Sequence, residues 1–182
     1  KYQGCADVGI CYPIQRHKLL QKSIKFLINS AKILKMNILL INGPNLNLLG
    51  MREREIYGEI TLSELEENLV LIAQNQGHKL YCVQTNAEHE IINAIHDAKL
   101  KNNISSIVIN PGAFTHTSIA IRDALSGVEI PFYEVHISDI NNREDFRKFS
   151  YLSDIAKKVF SGQGLKGYEL ALNDAIENNL EK

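Results

Sequence analysis

Short apolar runs rich in β-branched residues recur along this chain, each separated from the next by a segment with helical spacing, and that alternation leaves few folds open. The run at residues 104–109 is the clearest: it carries no charge and is too short for a helix, so it reads as a strand buried on both faces. Similar runs stand at 38–41, 80–84 and 130–135, with a shorter one at 158–160. Between the first two, Thr61-Leu62-Ser63-Glu64 has the form of a capping box. The helix it opens turns Leu65, Leu69 and Ile72 to one face and stops at Gly77. A second helix is expected over 88–101, with Ile91, Ile92, Ile95 and Ala98 inward, and a third over about 118–126. Gly162, Gly164 and Gly167 precede a closing helix over about 168–178.

Strands that alternate with helices imply a parallel, doubly wound sheet. Five of them predict an α/β, flavodoxin-like fold of strand order 2-1-3-4-5, with helices on both faces and a ligand site where the order switches, between strands one and three. The chain has 182 residues, 45% of them hydrophobic, which suits one compact domain. A net charge of −1 gives no bulk attraction to nucleic acid or to an anionic membrane. The apolar runs fall well short of the roughly 20 residues a membrane span needs. Nucleic acid and membrane are therefore not expected partners, and the cytoplasm is the expected compartment. The three cysteines form no metal framework, and Cys82, in the second apolar run, reads as a small core residue.

Residues 1–35 are a different kind of text. Cys5 and Cys11 lie in a stretch, Gln3-Gly4-Cys5-Ala6-Asp7-Val8-Gly9-Ile10-Cys11-Tyr12-Pro13, that resembles the redox-active cysteine segment of the periplasmic domain of membrane thiol–disulfide interchange reductases. Nothing else of that domain follows. Leu20, Ile24, Leu27, Ile28 and Ala31 then have helical spacing, and Met36 stands directly before the first strand. The expectation is an N-terminal extension over 1–35, poorly ordered or a read-through, fusion or misassigned start, and a single catalytic domain over 36–182.

Three strand ends converge if the sheet is right. After strand one comes Asn42-Gly43-Pro44-Asn45-Leu46-Asn47-Leu48-Leu49-Gly50, then Arg52-Glu53-Arg54-Glu55-Ile56-Tyr57-Gly58. After strand three comes Asn110-Pro111-Gly112-Ala113-Phe114-Thr115-His116-Thr117-Ser118, and after strand four Glu134-Val135-His136-Ile137-Ser138, with Arg143 and Arg147 beyond. Glu134 and His136 are two apart on a strand, so they share a face, and the carboxylate can hold the imidazole in one tautomer. Alone, that pair is as consistent with a buried structural histidine, and Tyr57 with an aromatic packed under a loop. A phenol acting as base near neutrality needs its pKa lowered by up to about 3 units. Arg52 and Arg54, in the same loop, are the sources of positive charge for that. Gly50 and Gly58 bracket a charged segment that is expected to close as a lid.

These motifs, together with Arg122-Asp123-Ala124, Phe146-Arg147 and Gly167-Tyr168, resemble the type II 3-dehydroquinate dehydratases from residue 36 to about 176. Phe114, Arg54 and Phe160-Ser161 depart mildly from the family pattern, at no catalytic position. The resemblance implies a hydro-lyase of the shikimate pathway that converts 3-dehydroquinate to 3-dehydroshikimate by anti elimination through an enolate, with no cofactor, Schiff base or metal. It implies Tyr57 as base, Arg52 as its charge partner, His136 as acid oriented by Glu134, and Asn45 as holder of a water at the enolate oxygen. Asn110, His116, Ile137, Ser138 and Arg147 would hold the substrate. Asp123 would reach a neighbouring subunit, since the family forms trimers packed into a dodecamer. The competing readings are a flavodoxin-like ligand-binding module and an assembly protein without catalysis. The first would want a Ser/Thr/Gly-rich loop where this chain has Asn, Leu and Pro, and the second would not need Arg52, Tyr57 and His136 together.

Overall fold

In the computed structural model the chain separates into two units at Leu34–Lys35, and the described residues are 35–51 and 59–180, all of the second unit. Five parallel strands form one sheet: β1 (Asn37–Asn42), β2 (Lys79–Gln84), β3 (Ser106–Asn110), β4 (Phe132–His136) and β5 (Lys158–Ser161). Their order is β2-β1-β3-β4-β5, the order expected from the sequence. Four helices connect them: α1 (Leu62–Asn75), α2 (Glu88–Leu100), α3 (Ile119–Val128) and α4 (Lys166–Leu180).

Burial follows position in the sheet. Every residue of β3 and β4 is buried, as central strands with helices on both faces require. The edge strands β2 and β5 each bury fewer residues. On one face Leu62, Leu65 and Leu69 of α1 and Tyr168 and Leu172 of α4 pack on Ile38, Leu40 and Val108. On the other, Ile91 and Ile95 of α2 and Ile121 and Leu125 of α3 pack on Leu39, Ile41, Ile107 and Ile109. Alternate residues of β1 thus feed two separate cores, which is why the strand reads as a continuous apolar run. Cys82 is partly buried against the first core, where burial and the nearby Glu66 charge push its thiol up to about 12.

The capping box is present in full: Thr61 Oγ1 accepts the Glu64 N–H, and the Glu64 carboxylate accepts the Thr61 N–H. Ser118 caps α3 by accepting the Ile121 N–H at 2.9 Å. Element starts differ from expectation by two residues in three places, each for a local reason. Ile104 donates its N–H to Ala98 and so finishes α2 instead of pairing in the sheet. Ile130 precedes Pro131, which has no N–H for a ladder. At α4 the turn of Gly164 and Leu165, whose carbonyls accept from Gly167 and Tyr168, brings the helix start forward to Lys166. Ile72 and Ile92, expected inward, are only partly buried. Among the described residues no helix is long and apolar enough to cross a membrane.

Candidate active site

The cleft lies where the topology puts it, at the carboxyl ends of β1, β3 and β4. It has a volume of ≈ 260 Å³, and its walls come from three loops: Pro44 to Leu49 residues after β1, Asn110 to His116 residues after β3, and His136 to Arg147 residues after β4.

Two glycines allow the first two loops to close on each other. A Cβ on Gly43 would sit 2.4 Å from the Pro111 carbonyl oxygen, and the Gly43 N–H donates to the Asn110 carbonyl at 2.8 Å. Gly112, at φ +57, takes a backbone conformation that side chains rarely adopt and faces Pro44 in turn. Asn45 then follows in the left-handed region at φ 66, which Asn tolerates better than most residues. Its N–H donates to Asn86 Oδ1 at 2.9 Å, so the loop after β2 holds the loop after β1.

At the end of β4, the His136 ring meets Glu134 through Nε2 at 2.7 Å. Glu134 is fully buried. Its Oε1 also accepts from Ser150 and its Oε2 from Ser153, each at 2.6 Å. Burial works to raise the Glu134 carboxyl, but the hydrogen bond and charge of His136 and the two serine hydroxyls outweigh it and leave the group below its ordinary value. The result is an ionised carboxylate locked under an imidazole, with His136 on the cleft wall.

His116 binds the Phe149 carbonyl through Nδ1 at 2.7 Å, which requires the proton on that nitrogen and leaves Nε2 as acceptor in the neutral ring. Ser138 accepts from Arg143, and the Ile137 carbonyl accepts from Gly164 at 3.0 Å. Arg147 is exposed at the rim, 3.8 Å from Glu144 and over the Phe146 ring. The Asn110 amide is 3% exposed and hydrogen-bonded on both sides, to Gly112 N–H and to the Tyr168 hydroxyl.

Of the residues singled out from the sequence, Asn45, Asn110, His116, His136, Ile137, Ser138 and Arg147 line one cleft, with Glu134 directly behind His136. Asp123 is exposed on α3 and is not among the lining residues. Arg52, Tyr57 and the lid expected around them lie outside the described residues. The flanking residues are described: Gly50 packs against the Glu59 and Ile60 carbonyls, so the chain leaves and returns at one point, next to the cleft residue Leu49. Arg143, expected in the loop after strand four, also lines the cleft. Sequence reasoning missed Ser150 and Ser153 as partners of Glu134; no local pattern marks the serines, which reach the site across 16 and 19 residues.

The family profile described as Dehydroquinase class II matches residues 36–176. The chain belongs to that family. A protein named 3-dehydroquinate dehydratase from Buchnera aphidicola subsp. Cinara cedri is 57% identical over 148 residues, 81% of this chain and 97% of the relative. One of the same name from Actinobacillus pleuropneumoniae is 58% identical over 139 residues, 76% of this chain and 89% of the relative. Among solved structures, the type II dehydroquinase of Butyrivibrio crossotus superposes with a TM-score of 0.75 at 45% identity, covering 78% of this chain and 97% of its own. That of Propionibacterium acnes gives 0.73 at 41% identity, covering 79% and 99%. The class II dehydroquinase match starts at Met36, one residue after the first described residue.

Proposed function

We propose that this class II dehydroquinase dehydrates 3-dehydroquinate to 3-dehydroshikimate in the shikimate pathway, by anti elimination through an enolate, with neither cofactor, Schiff base nor metal taking part. Tyr57, as phenolate beside Arg52, removes a proton from C2, and the electron pair moves onto the C3 carbonyl oxygen. Asn45 holds a water against that oxygen while it is an enolate. When the enolate collapses, the C1 hydroxyl departs as water, taking its proton from His136. The cycle closes as Tyr57 gives up its proton and His136 regains one.

The observation that carries this reading is the Glu134–His136 pair at 2.7 Å, with the carboxylate buried and the imidazole on the cleft wall. An ionised orienting carboxylate holds the ring in one tautomer and keeps it a proton carrier of fixed geometry. Arg147 and Arg143, which also line the cleft, supply guanidinium groups for the substrate carboxylate. Asn110, His116, Ile137 and Ser138 supply polar groups for its hydroxyls. Among the described residues no lysine lines the cleft, which favours an imine-free route. Gly50 lies against the Glu59 and Ile60 carbonyls, so the described residues on either side of positions 52–58 meet beside the cleft residue Leu49. Asp123, exposed on α3, serves the site of a neighbouring copy in a trimer-based dodecamer of cytoplasmic enzyme.

The test is the appearance of enone ultraviolet absorbance when purified full-length protein meets 3-dehydroquinate. Activity should persist when borohydride is added with substrate. A folded protein that makes no enone, or a reduced substrate adduct on a lysine, would overturn the reading.

A further inference from the structure

Beneath the cleft, four side chains are joined in a row of hydrogen bonds. Glu66, on α1, accepts from Asn42 Nδ2 at 2.9 Å. Asn42 Oδ1 accepts from the Tyr168 hydroxyl at 2.9 Å, and the oxygen of that hydroxyl accepts from Asn110 Nδ2 at 2.7 Å. Asn110 Oδ1 then takes the Gly112 N–H at 3.1 Å. Asn42 and Asn110 are register partners at the ends of β1 and β3. The two amides and Tyr168 are buried, and Glu66 is partly buried at the outer end of the row, away from the residues that line the cleft.

The two ends of an amide have the same shape, so only its partners decide which way it faces. Here each partner leaves one choice. An ionised carboxylate can only accept, so Asn42 must turn its NH2 to Glu66 and its oxygen to Tyr168. Tyr168 has one proton, and with that directed to Asn42 it can only accept from Asn110. Burial, opposed by the Asn110 hydrogen bond and reinforced by the Glu66 charge, pushes the Tyr168 hydroxyl up, so the proton stays in place. Asn110 is left with its oxygen on the Gly112 N–H and with a second N–H on the same NH2. The row therefore has a direction, and the direction is set at Glu66.

We propose that Glu66 is a positioning residue which, through Asn42 and Tyr168, fixes Asn110 in the cleft as a hydrogen-bond donor toward a hydroxyl or carboxylate oxygen of the substrate. The proposal rests on the reading of Asn110 as a substrate-holding residue. With Glu66 replaced by a group that cannot accept, Asn42 and Asn110 lose the reason to face one way, and the Gly112 turn loses a fixed acceptor.

Steady-state dehydratase kinetics and melting temperatures of Asn110→Ala, Tyr168→Phe, Glu66→Met and Glu66→Gln in the full chain test this. Asn110→Ala should raise KM by about tenfold. Glu66→Met, of similar length with no strong acceptor, should raise KM about three- to tenfold while kcat stays within about twofold. Glu66→Gln still offers a carbonyl to Asn42 and should restore KM to within about twofold of the unsubstituted chain. Tyr168→Phe should follow Glu66→Met; if it folds poorly, the Glu66 pair decides, because that residue is at the outer end of the row. A purely structural role lowers the melting temperature and the amount of active enzyme, but leaves the KM of the folded fraction alone. Equal KM for Glu66→Met and Glu66→Gln, with Asn110→Ala still raised, would overturn the role of Glu66 and leave that of Asn110. An unchanged KM in Asn110→Ala would overturn both.

Discussion

Glu134 Oε1 accepts two hydrogen bonds, from His136 and Ser150, and Oε2 accepts a third from the Ser153 hydroxyl, a group that can itself accept. Glu134→Gln keeps the volume, and with its amide NH2 turned to the Ser153 hydroxyl it can still accept from His136 and Ser150, but it carries no charge. It should lower kcat by about a hundredfold with a smaller change in KM, because His136 then loses its charge partner. A kcat within about twofold of the unsubstituted enzyme would show that His136 needs no charge partner. Arg147→Ala should do the reverse, raising KM by about tenfold or more through loss of a carboxylate anchor, with less effect on kcat. At this scale the sequence was legible in part. Glu134 and His136 are two apart on a strand, and that spacing alone places them together. Ser150 and Ser153 fold back from beyond two short 3₁₀ turns, Ile140–Asn142 and Asp145–Arg147, and no periodicity announces such a return. Tyr168 and Asn42 were visible as members of motifs, but their bond spans 126 residues and only the fold reveals it.

Among the elements, β1, β3 and β4 were readable because their burial on two faces demands uninterrupted apolar runs. Their first residues were less so, since Ile104 and Ile130 are apolar without being paired strand residues. What brings the strand ends together as a site is the contact between the loops after β1 and β3. Gly43→Ala should therefore cost more than a surface substitution. The added methyl meets the Pro111 carbonyl at 2.4 Å, backbone against backbone, and neither loop can yield without moving cleft residues. A loss of about 1–3 kcal/mol in denaturant unfolding is expected, together with a marked loss of activity. Thr61→Ala provides the contrast. It removes the capping box of α1 and should cost about 1 kcal/mol of stability with KM unchanged. If both variants lost activity in the same proportion as stability, the loop contact would have no special part in the site.

For the molecule as a whole, acid should weaken the fold in two stages. His78 is buried, accepts the Met36 N–H through Nδ1 at 3.4 Å, and is held below its ordinary pKa by burial. The unfolded chain takes up a proton there as pH falls below about 6.5, while the folded chain resists, so stability declines from that point down to the folded value. Glu134 is also held low, so its contribution is present above about pH 4.3 and is lost as pH falls from there through the folded value. His78→Gln should flatten the first stage in denaturant titrations between pH 7 and 5 and leave the second; an unchanged slope would place the effect elsewhere. Removal of residues 1–34, leaving Lys35 so that no new terminal charge falls on the buried Met36, should not alter the melting temperature, because the described residues of 36–176 by themselves form both cores; a drop of several degrees would show that the leader belongs to the fold. The Tyr168 bond to Asn42 also bears on synthesis. On the ribosome, β1 and its loop are among the first parts of the domain to be made, yet the hydroxyl that orders the floor of the cleft arrives with α4. A nascent chain lacks a finished binding site until that helix has left the exit tunnel, so substrate cannot steady the protein while it is being made, and only the nearly complete domain can be stabilised by what it binds.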